Sequence, residues 1–336
     1  GTLYILNKLQ LIMNDKQLQD FVSYLINNNY KVYSHKDIDN NVMIDEIKTG
    51  ENFKLCPQKP LHSFKSFFLP PCKKMMEFKG KEIFLLRDPD IKTVLLGLHF
   101  YDLKALTLHA QVFKKDPYFQ KKLRNMIVIG QSPIPEEDRS YQKFEKEILE
   151  HLKFDIFLEA KSVNDQKDFR IFTGSEDGQR LLDGFGYKNY ENVEYEGPVP
   201  KKGLDQLHLD LIEKVKKSRG SEIWKELAKK CTACGKCAIV CPTCFCFKFI
   251  DEIEKDKITR RREWDSCFYE EFSEIAGGHK FLDSTEKRIY NFYDHKFVRI
   301  PEEYHMVGCV SCGRCTEVCP AGINIAENIK RIMEEN

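Results

Sequence analysis

Apolar positions in the first half of the chain come in short runs separated by polar stretches. KEIFLLRD (81–88), KTVLLGLHF (92–100), NMIVIG (125–130), FDIFLEA (154–160) and FRIFTG (169–174) are rich in β-formers and predict strands. Between the second and third runs, Leu103, Leu106, Ala110 and Phe113 recur at helical spacing. Between the third and fourth, EEDRSYQKFEKEILEHLK (136–153) carries Phe144, Ile148 and Leu152 at steps of four. Strand and helix alternate, so residues 13–200 read as an α/β domain, a sheet covered by helices, with the strand order open.

The pattern stops at GYKNYENVEYEGPVPKKG (186–203), whose Pro198, Pro200 and glycines make it the best linker. A helix with Leu204, Leu207, Leu211 and Val215 on one face opens a second domain, 201–336. Gly220 ends that helix, and Ser221 reads as the N-cap of SEIWKELAKK, which delivers the chain into Cys231. Further on, KFIDEIEKD (248–256) and EEFSEIAGG (270–278) read as helical, as does NIAENIKRIM with its Ile325, Ile329 and Ile332 stripe.

Composition narrows the function. The 336 residues are 42% apolar with a formal net charge of +1, which argues against a dedicated nucleic-acid binder. No apolar run is long enough to span a membrane. The opening GTLYILNKLQLI has a single lysine and no small-residue cleavage site, so it does not read as a signal peptide. Residues 1–12 read instead as appended or upstream residues ahead of a natural start at Met13. Thirteen cysteines in a long chain without a secretion signal point to metal binding in a reducing cytoplasm and away from disulfides.

Those cysteines contain one internal repeat: CTACGKCAIVCP (231–242) matches CVSCGRCTEVCP (309–320). Each reads C-x2-C-x2-C-x3-C-P. Three cysteines two residues apart can wrap one face of an iron–sulfur cube, and the fourth ligates the other cube when two motifs pair. The assignment is two [4Fe–4S] clusters: Cys231, Cys234, Cys237 and Cys319 on one, Cys309, Cys312, Cys315 and Cys241 on the other. Structural zinc, which uses paired Cys-x2-Cys or Cys/His sets, fits duplicate quartets poorly. Gly235 and Gly313 read as turn glycines that also let backbone approach the clusters, and Lys236 and Arg314 either offset cluster charge or are solvated bases. Sixty-seven residues separate Cys241 from Cys309, and their helical pattern suits a helical two-cluster module better than a compact β-hairpin ferredoxin.

With these segments in view, WKELAKKCTACGKCAIVCPTCFCF, RRREWDSCFYEEFSEIAGGHKF, HKF (295–297) and VGCVSCGRCTEVCPAGINI together resemble the family of the sulfhydrogenase β subunit, which also includes the corresponding iron–sulfur subunit of anaerobic sulfite reductase. Weaker likeness runs through SFFLPPCKKMMEF, GLHFYDLKAL and FRIFTGSEDGQRLL. The resemblance implies an α-helical ferredoxin-like module behind an α/β N-terminal domain. It also implies a cytoplasmic, non-catalytic subunit relaying electrons between a flavin subunit that uses NAD(P)H and catalytic subunits. Those would be [NiFe] hydrogenase subunits or, alternatively, a sulfite reductase or other flavin-linked reductase.

The chain departs from that family at Tyr101-Asp102, where a cysteine usually precedes the aspartate, and in QSPIPEEDRSYQKF, which lacks the family's further cysteines. A third, N-terminal cluster is therefore not expected, and Cys56 and Cys72 read as ordinary thiols. Cys244, Cys246 and Cys267 match the family pattern but are surplus to the quartets. They read as packed thiols near the clusters, with ligation of another centre as the alternative. Arg260–Arg262 with Trp264 read as structural or docking residues before nucleic-acid contacts, and His279 and His295 as structural histidines. No Gly-rich dinucleotide fingerprint and no nucleophile set stands out, and GSEDGQ (174–179) is too loose for a phosphate loop.

Overall fold

A computed structural model describes residues 12–132, 148–163 and 166–334. The first half builds on an eight-stranded sheet of β1 (Ile12–Asn14), β2 (Lys31–Ile38), β3 (Asn41–Ile47), β6 (Thr93–His99), β7 (Met126–Gln131), β8 (Ile156–Val163), β9 (Gln166–Thr173) and β10 (Tyr190–Asn192). The order is β1-β9-β8-β7-β6-β2-β3, with β10 beside β9. The central pairs β2–β6, β6–β7 and β7–β8 are parallel, and β2–β3, β8–β9 and β1–β9 are antiparallel. The four expected runs from 92 to 174 are strands of this sheet.

Period-two alternation sends those strands into two cores. Val94, Leu96, Ile127, Ile129, Ile156 and Leu158 face α1 (Asp15–Asn27) and a later helix, Glu176–Phe185, through Phe21, Leu25 and Leu182. Leu95, Val128 and Phe157 face the other way, onto α2 (Lys65–Phe68), α3 (Phe100–Val112) and α4 (Pro117–Arg124), through Phe68, Leu103, Leu106 and Phe119. Gly97 sits at φ +90° where the β6–β7 register shifts, and Leu98 joins the second core. The α3 stripe is as expected. Of the helix expected over 136–153, residues 136–147, with Phe144, lie outside the described residues, and Leu149–His151 is a single 3₁₀ turn.

Helix α5 (Glu176–Phe185) is capped by Ser175, whose hydroxyl accepts from the Gly178 amide at 3.1 Å and donates to Asp155 at 2.5 Å. GSEDGQ is thus a helix cap. Within the expected linker, Tyr190–Asn192 pairs in parallel with β9.

The second half is largely helical: α6 (Gln206–Lys217), α7 (Glu222–Lys230), α8 (Lys236–Val240), α9 (Thr285–Asp294), which runs through a π turn at His295–Arg299 into α10 (Ile300–Tyr304), α11 (Arg314–Glu317) and α12 (Ile325–Glu334). Leu211, Val215, Trp224, Leu227, Phe292, Ile325, Ile329 and Ile332 form its core. The fully buried Trp224 donates its indole N–H to the Ser218 carbonyl at 2.6 Å.

One local expectation is corrected. KFIDEIEKD is not helical but part of strand β11 (Phe247–Glu254), which turns tightly into β12 (Lys257–Trp264). Its charges, spaced as on a helix, are matched across strands instead: Asp251 takes Arg260 at 2.7 and 2.6 Å, and Glu252 takes Arg261. Of EEFSEIAGG only Glu270–Ser273 turns, as a 3₁₀ helix. β12 pairs antiparallel with β4 (Cys72–Lys79), and β4 with β5 (Glu82–Leu85). A four-stranded sheet, β11-β12-β4-β5, therefore crosses the boundary between the halves, and KEIFLLRD belongs to it and not to the large sheet. No helix among the described residues is long and apolar enough to cross a membrane.

Candidate metal centre

The two cysteine repeats share one backbone design. In each, the residue before the second cysteine is left-handed, Ala233 at φ 51° and Ser311 at 56°. So is the glycine after it, Gly235 at 73° and Gly313 at 76°. Each glycine then caps a short helix, α8 and α11, carrying the third cysteine. Positive φ at two positions in three curls the chain around a centre, and glycine takes it without the strain other residues bear. Gly235 has a second reason to lack a side chain, since a Cβ would stand 2.6 Å from the Tyr269 ring.

The quartets end up around two adjoining cavities. Cys231, Cys234, Cys237 and Cys319 line one, with Phe268, Ile289, Phe292, Tyr293 and Ile323. Cys309, Cys312, Cys315 and Cys241 line the other, with Tyr101, Lys296, Val310 and Ser311, and Cys315 borders both. The first three cysteines of each repeat thus line a cavity together with the last cysteine of the other.

The donor set suits a cluster better than single ions. Among the described residues no three of these thiols come within 4.8 Å of one another. The sulfurs around one tetrahedral zinc would stand about 3.8 Å apart, given Zn–S of about 2.3 Å. Burial raises the thiol pKa values of Cys231, Cys237, Cys312 and Cys315, that of Cys312 to about 11. Such thiols ionise only against a cation, as thiolate ligands of a metal do.

Cys241 is different. The neighbouring Cys244 thiol, first, and then the Lys296 ammonium hold it well below the usual cysteine value despite burial. Cys244 is pushed well above it, by Cys241 foremost. Lys296, in the π turn, donates to Cys241 Sγ at 3.1 Å, Thr243 Oγ1 at 3.1 Å and Cys244 Sγ at 3.5 Å. Burial works against its charge, but Cys241, then Cys244 and Cys309, hold it well above the ordinary lysine value. Thr243 in turn donates to the Gly308 carbonyl at 2.7 Å, tying the first repeat to the start of the second.

The first half clamps the second quartet. Lys65 of α2 donates to the carbonyls of Ile239, Cys241 and Cys244 at 3.1, 2.9 and 3.2 Å, its ammonium 4.1 Å from the centre of the Trp264 ring. Arg314, 0% exposed, reaches Asp102 of α3 at 2.7 and 3.0 Å and the Pro60 carbonyl at 2.9 Å. Tyr101, beside it, packs on Val310 and Cys312. Of the two bases after the repeat glycines, Lys236 is exposed and Arg314 is a buried ion-pair partner. Sequence reasoning misses Lys65 and Lys296. Their only signal is a lysine within an apolar segment, FKSFF (64–68) and HKFV (295–298).

Cys267 is buried, and burial pushes its thiol up to about 12. Burial also raises Cys246. Cys72 is exposed on β4, and Cys56 is half-buried. Arg260, Arg261 and Arg262 each meet carboxylates, Arg262 reaching Asp116 of the first half at 2.5 Å. Trp264 donates to the Leu69 carbonyl at 2.9 Å. Burial takes His295 down to about 4, and it meets Phe245 edge-on, whereas His279 is exposed.

Residues 230–323 match the family described as a 4Fe–4S dicluster domain. Over 330 residues the chain is 28% identical to the sulfhydrogenase 2 subunit beta of Pyrococcus furiosus, an alignment covering 90% of this chain and 92% of that protein. No solved structure matches the chain. A mixed α/β sheet domain is thus followed by a 4Fe–4S dicluster domain, which implies [4Fe–4S] clusters and supports an iron–sulfur electron-transfer subunit.

Proposed function

We propose that the chain is the electron-transfer subunit of a cytoplasmic sulfhydrogenase-type [NiFe] hydrogenase complex. It holds two [4Fe–4S] clusters in a helical ferredoxin-like module, residues 201–336. Cys231, Cys234, Cys237 and Cys319 hold one cluster, and Cys309, Cys312, Cys315 and Cys241 the other. The pair of adjoining cavities, each lined by one cross-wise quartet with Cys315 on both walls, carries the reading. Bound clusters supply one-electron steps, and hydride chemistry is left to a flavin partner.

The chain's own residues hold the thiolates, with Cys241 and Cys312 buried and Cys234 at the surface. The left-handed positions curl each repeat, Phe292, Ile289 and Ile323 wall the first cavity, and α2 and α3 close over the second. The partners in this reading are a flavin-containing, NAD(P)H-linked subunit on one side and [NiFe] catalytic subunits on the other, with no nucleic acid and no membrane.

The test is metal analysis of the complex purified anaerobically through this chain. About eight irons per chain are expected for two cubes, with stoichiometric nickel in the complex. Cys234→Ser and Cys312→Ser should each remove about half of the iron, while Cys72→Ser and Cys267→Ser keep it. Unchanged iron in both ligand variants would overturn the assignment. An intact multi-subunit complex without nickel would move the chain to a sulfite reductase or another flavin-linked reductase.

A further inference from the structure

The two cavities differ in the charge around them. The first is walled by Phe268, Ile289, Phe292, Tyr293 and Ile323, and its one charged lining residue, Lys236, is exposed. The second is lined by Lys296 and by Glu317, whose carboxylate pairs with Lys59, and Arg314 and Lys65 are buried nearby against its cysteine turns. Arg314 is neutralised by Asp102. Lys65 and Lys296 meet no carboxylate among the described residues: the partners of Lys65 are backbone carbonyls, and those of Lys296 are Cys241 Sγ, Thr243 Oγ1 and Cys244 Sγ. A buried ammonium with no carboxylate partner among the described residues thus sits in hydrogen-bond contact with one sulfur of the second quartet, and among the described residues no buried counterpart lines the first. Net charge and hydrogen bonds to the sulfurs are what set an iron–sulfur potential, and positive charge in low dielectric favours the reduced, more negative state.

We propose that Lys296 makes the two centres unequal, holding the one bound by Cys309, Cys312, Cys315 and Cys241 at the higher reduction potential, so that an electron shared between them rests there. The inference rests on the two-cluster reading above. Lys296 is a positioning residue acting through the Cys241 sulfur. Thr243 fixes it, since the hydroxyl that accepts from its ammonium is itself tied to the Gly308 carbonyl. Lys65 adds charge at one remove, through the carbonyls of the same turn.

The experiment is an anaerobic redox titration followed by electron paramagnetic resonance, on the full chain in wild-type, Lys296→Met, Lys296→Arg and Cys234→Ser forms. Iron and sulfide are measured on each. Wild type should show two separate potentials. Cys234→Ser, which removes the first centre, should lose the lower one. Lys296→Met should lower the upper potential by at least a tenfold change in the reduction constant, about 59 mV for one electron, and move the lower one less. Lys296→Arg should keep most of the separation.

An upper potential unmoved in Lys296→Met, or both moved equally, would overturn the proposal. So would loss of the upper signal in Cys234→Ser, which decides the order even where Lys296→Met fails to keep its iron. A wild-type chain with iron for one cube alone would instead sink the two-cluster reading.

Discussion

The Arg314–Asp102 pair offers the most direct measurement of how the halves hold together. Arg314 is 0% and Asp102 2% exposed; the guanidinium donates to Asp102 at 2.7 and 3.0 Å and to the Pro60 carbonyl at 2.9 Å, and it also hydrogen-bonds Cys312. Asp102→Ala leaves a guanidinium that cannot deprotonate in a site closed to solvent, and breaking such a buried pair costs about 3–5 kcal/mol. Removing both charges in Asp102→Ala/Arg314→Met takes away the stranded ion and leaves an unpaired Pro60 carbonyl, a Cys312 without its guanidinium partner and some lost packing, about 1–3 kcal/mol. The double variant should therefore be more stable than the single one. The assay is anaerobic urea unfolding of the iron-loaded chain, followed by fluorescence of Trp224 and Trp264 and by loss of the iron–sulfur absorbance. A single variant within about 1 kcal/mol of wild type, or a double variant no better than the single, would refute the reasoning.

Gly235→Ala must place a Cβ at φ 73° and 2.6 Å from the Tyr269 ring, so it should lower iron content while Gly186→Ala, strained but in open space, should not. Metal analysis of the two variants, purified in parallel, checks this. Burial, foremost, takes His35 from the ordinary histidine value down to about 3. A folded value below the unfolded one gives stability fully present above about pH 6.5 and lost as pH falls from there toward 3, at about 1.4 kcal/mol per pH unit. His35→Phe should flatten that acid slope, and unfolding midpoints between pH 5 and 7 with the same slope in both proteins would contradict it.

Different parts of the molecule were legible to different degrees, for physical reasons. The strands at 92–100, 125–130, 154–160 and 169–174 could be read because both faces of a central sheet are buried, leaving near-continuous apolar runs. The quartets could be read because the repeat states its own spacing. β11 could not: Asp251, Glu252 and Glu254 sit at helical offsets from lysines, and only the partner strand, with Arg260 opposite Asp251 and Lys257 opposite Glu254, makes them a ladder. Lys296 and Lys65 were hidden among 53 basic residues, because what sets them apart is burial against a turn far away in sequence. Arg314 could be singled out by its place in the repeat, but not its partner, which lies 212 residues earlier.

The sheet shared between the halves also sets an order of events during synthesis. β4 and β5 leave the ribosome roughly 180 residues ahead of β12, a delay of about 10–40 s at 5–20 residues per second. For that interval the β4 edge has no neighbour, and Ile83 and Leu85 stand beside it in water, both still exposed in the finished molecule. A nascent chain in that state is open to pairing with another like it. The half that carries the cysteines therefore closes an edge that the half made before it leaves open, and slow translation between residues 80 and 257 should raise aggregation without altering any finished contact.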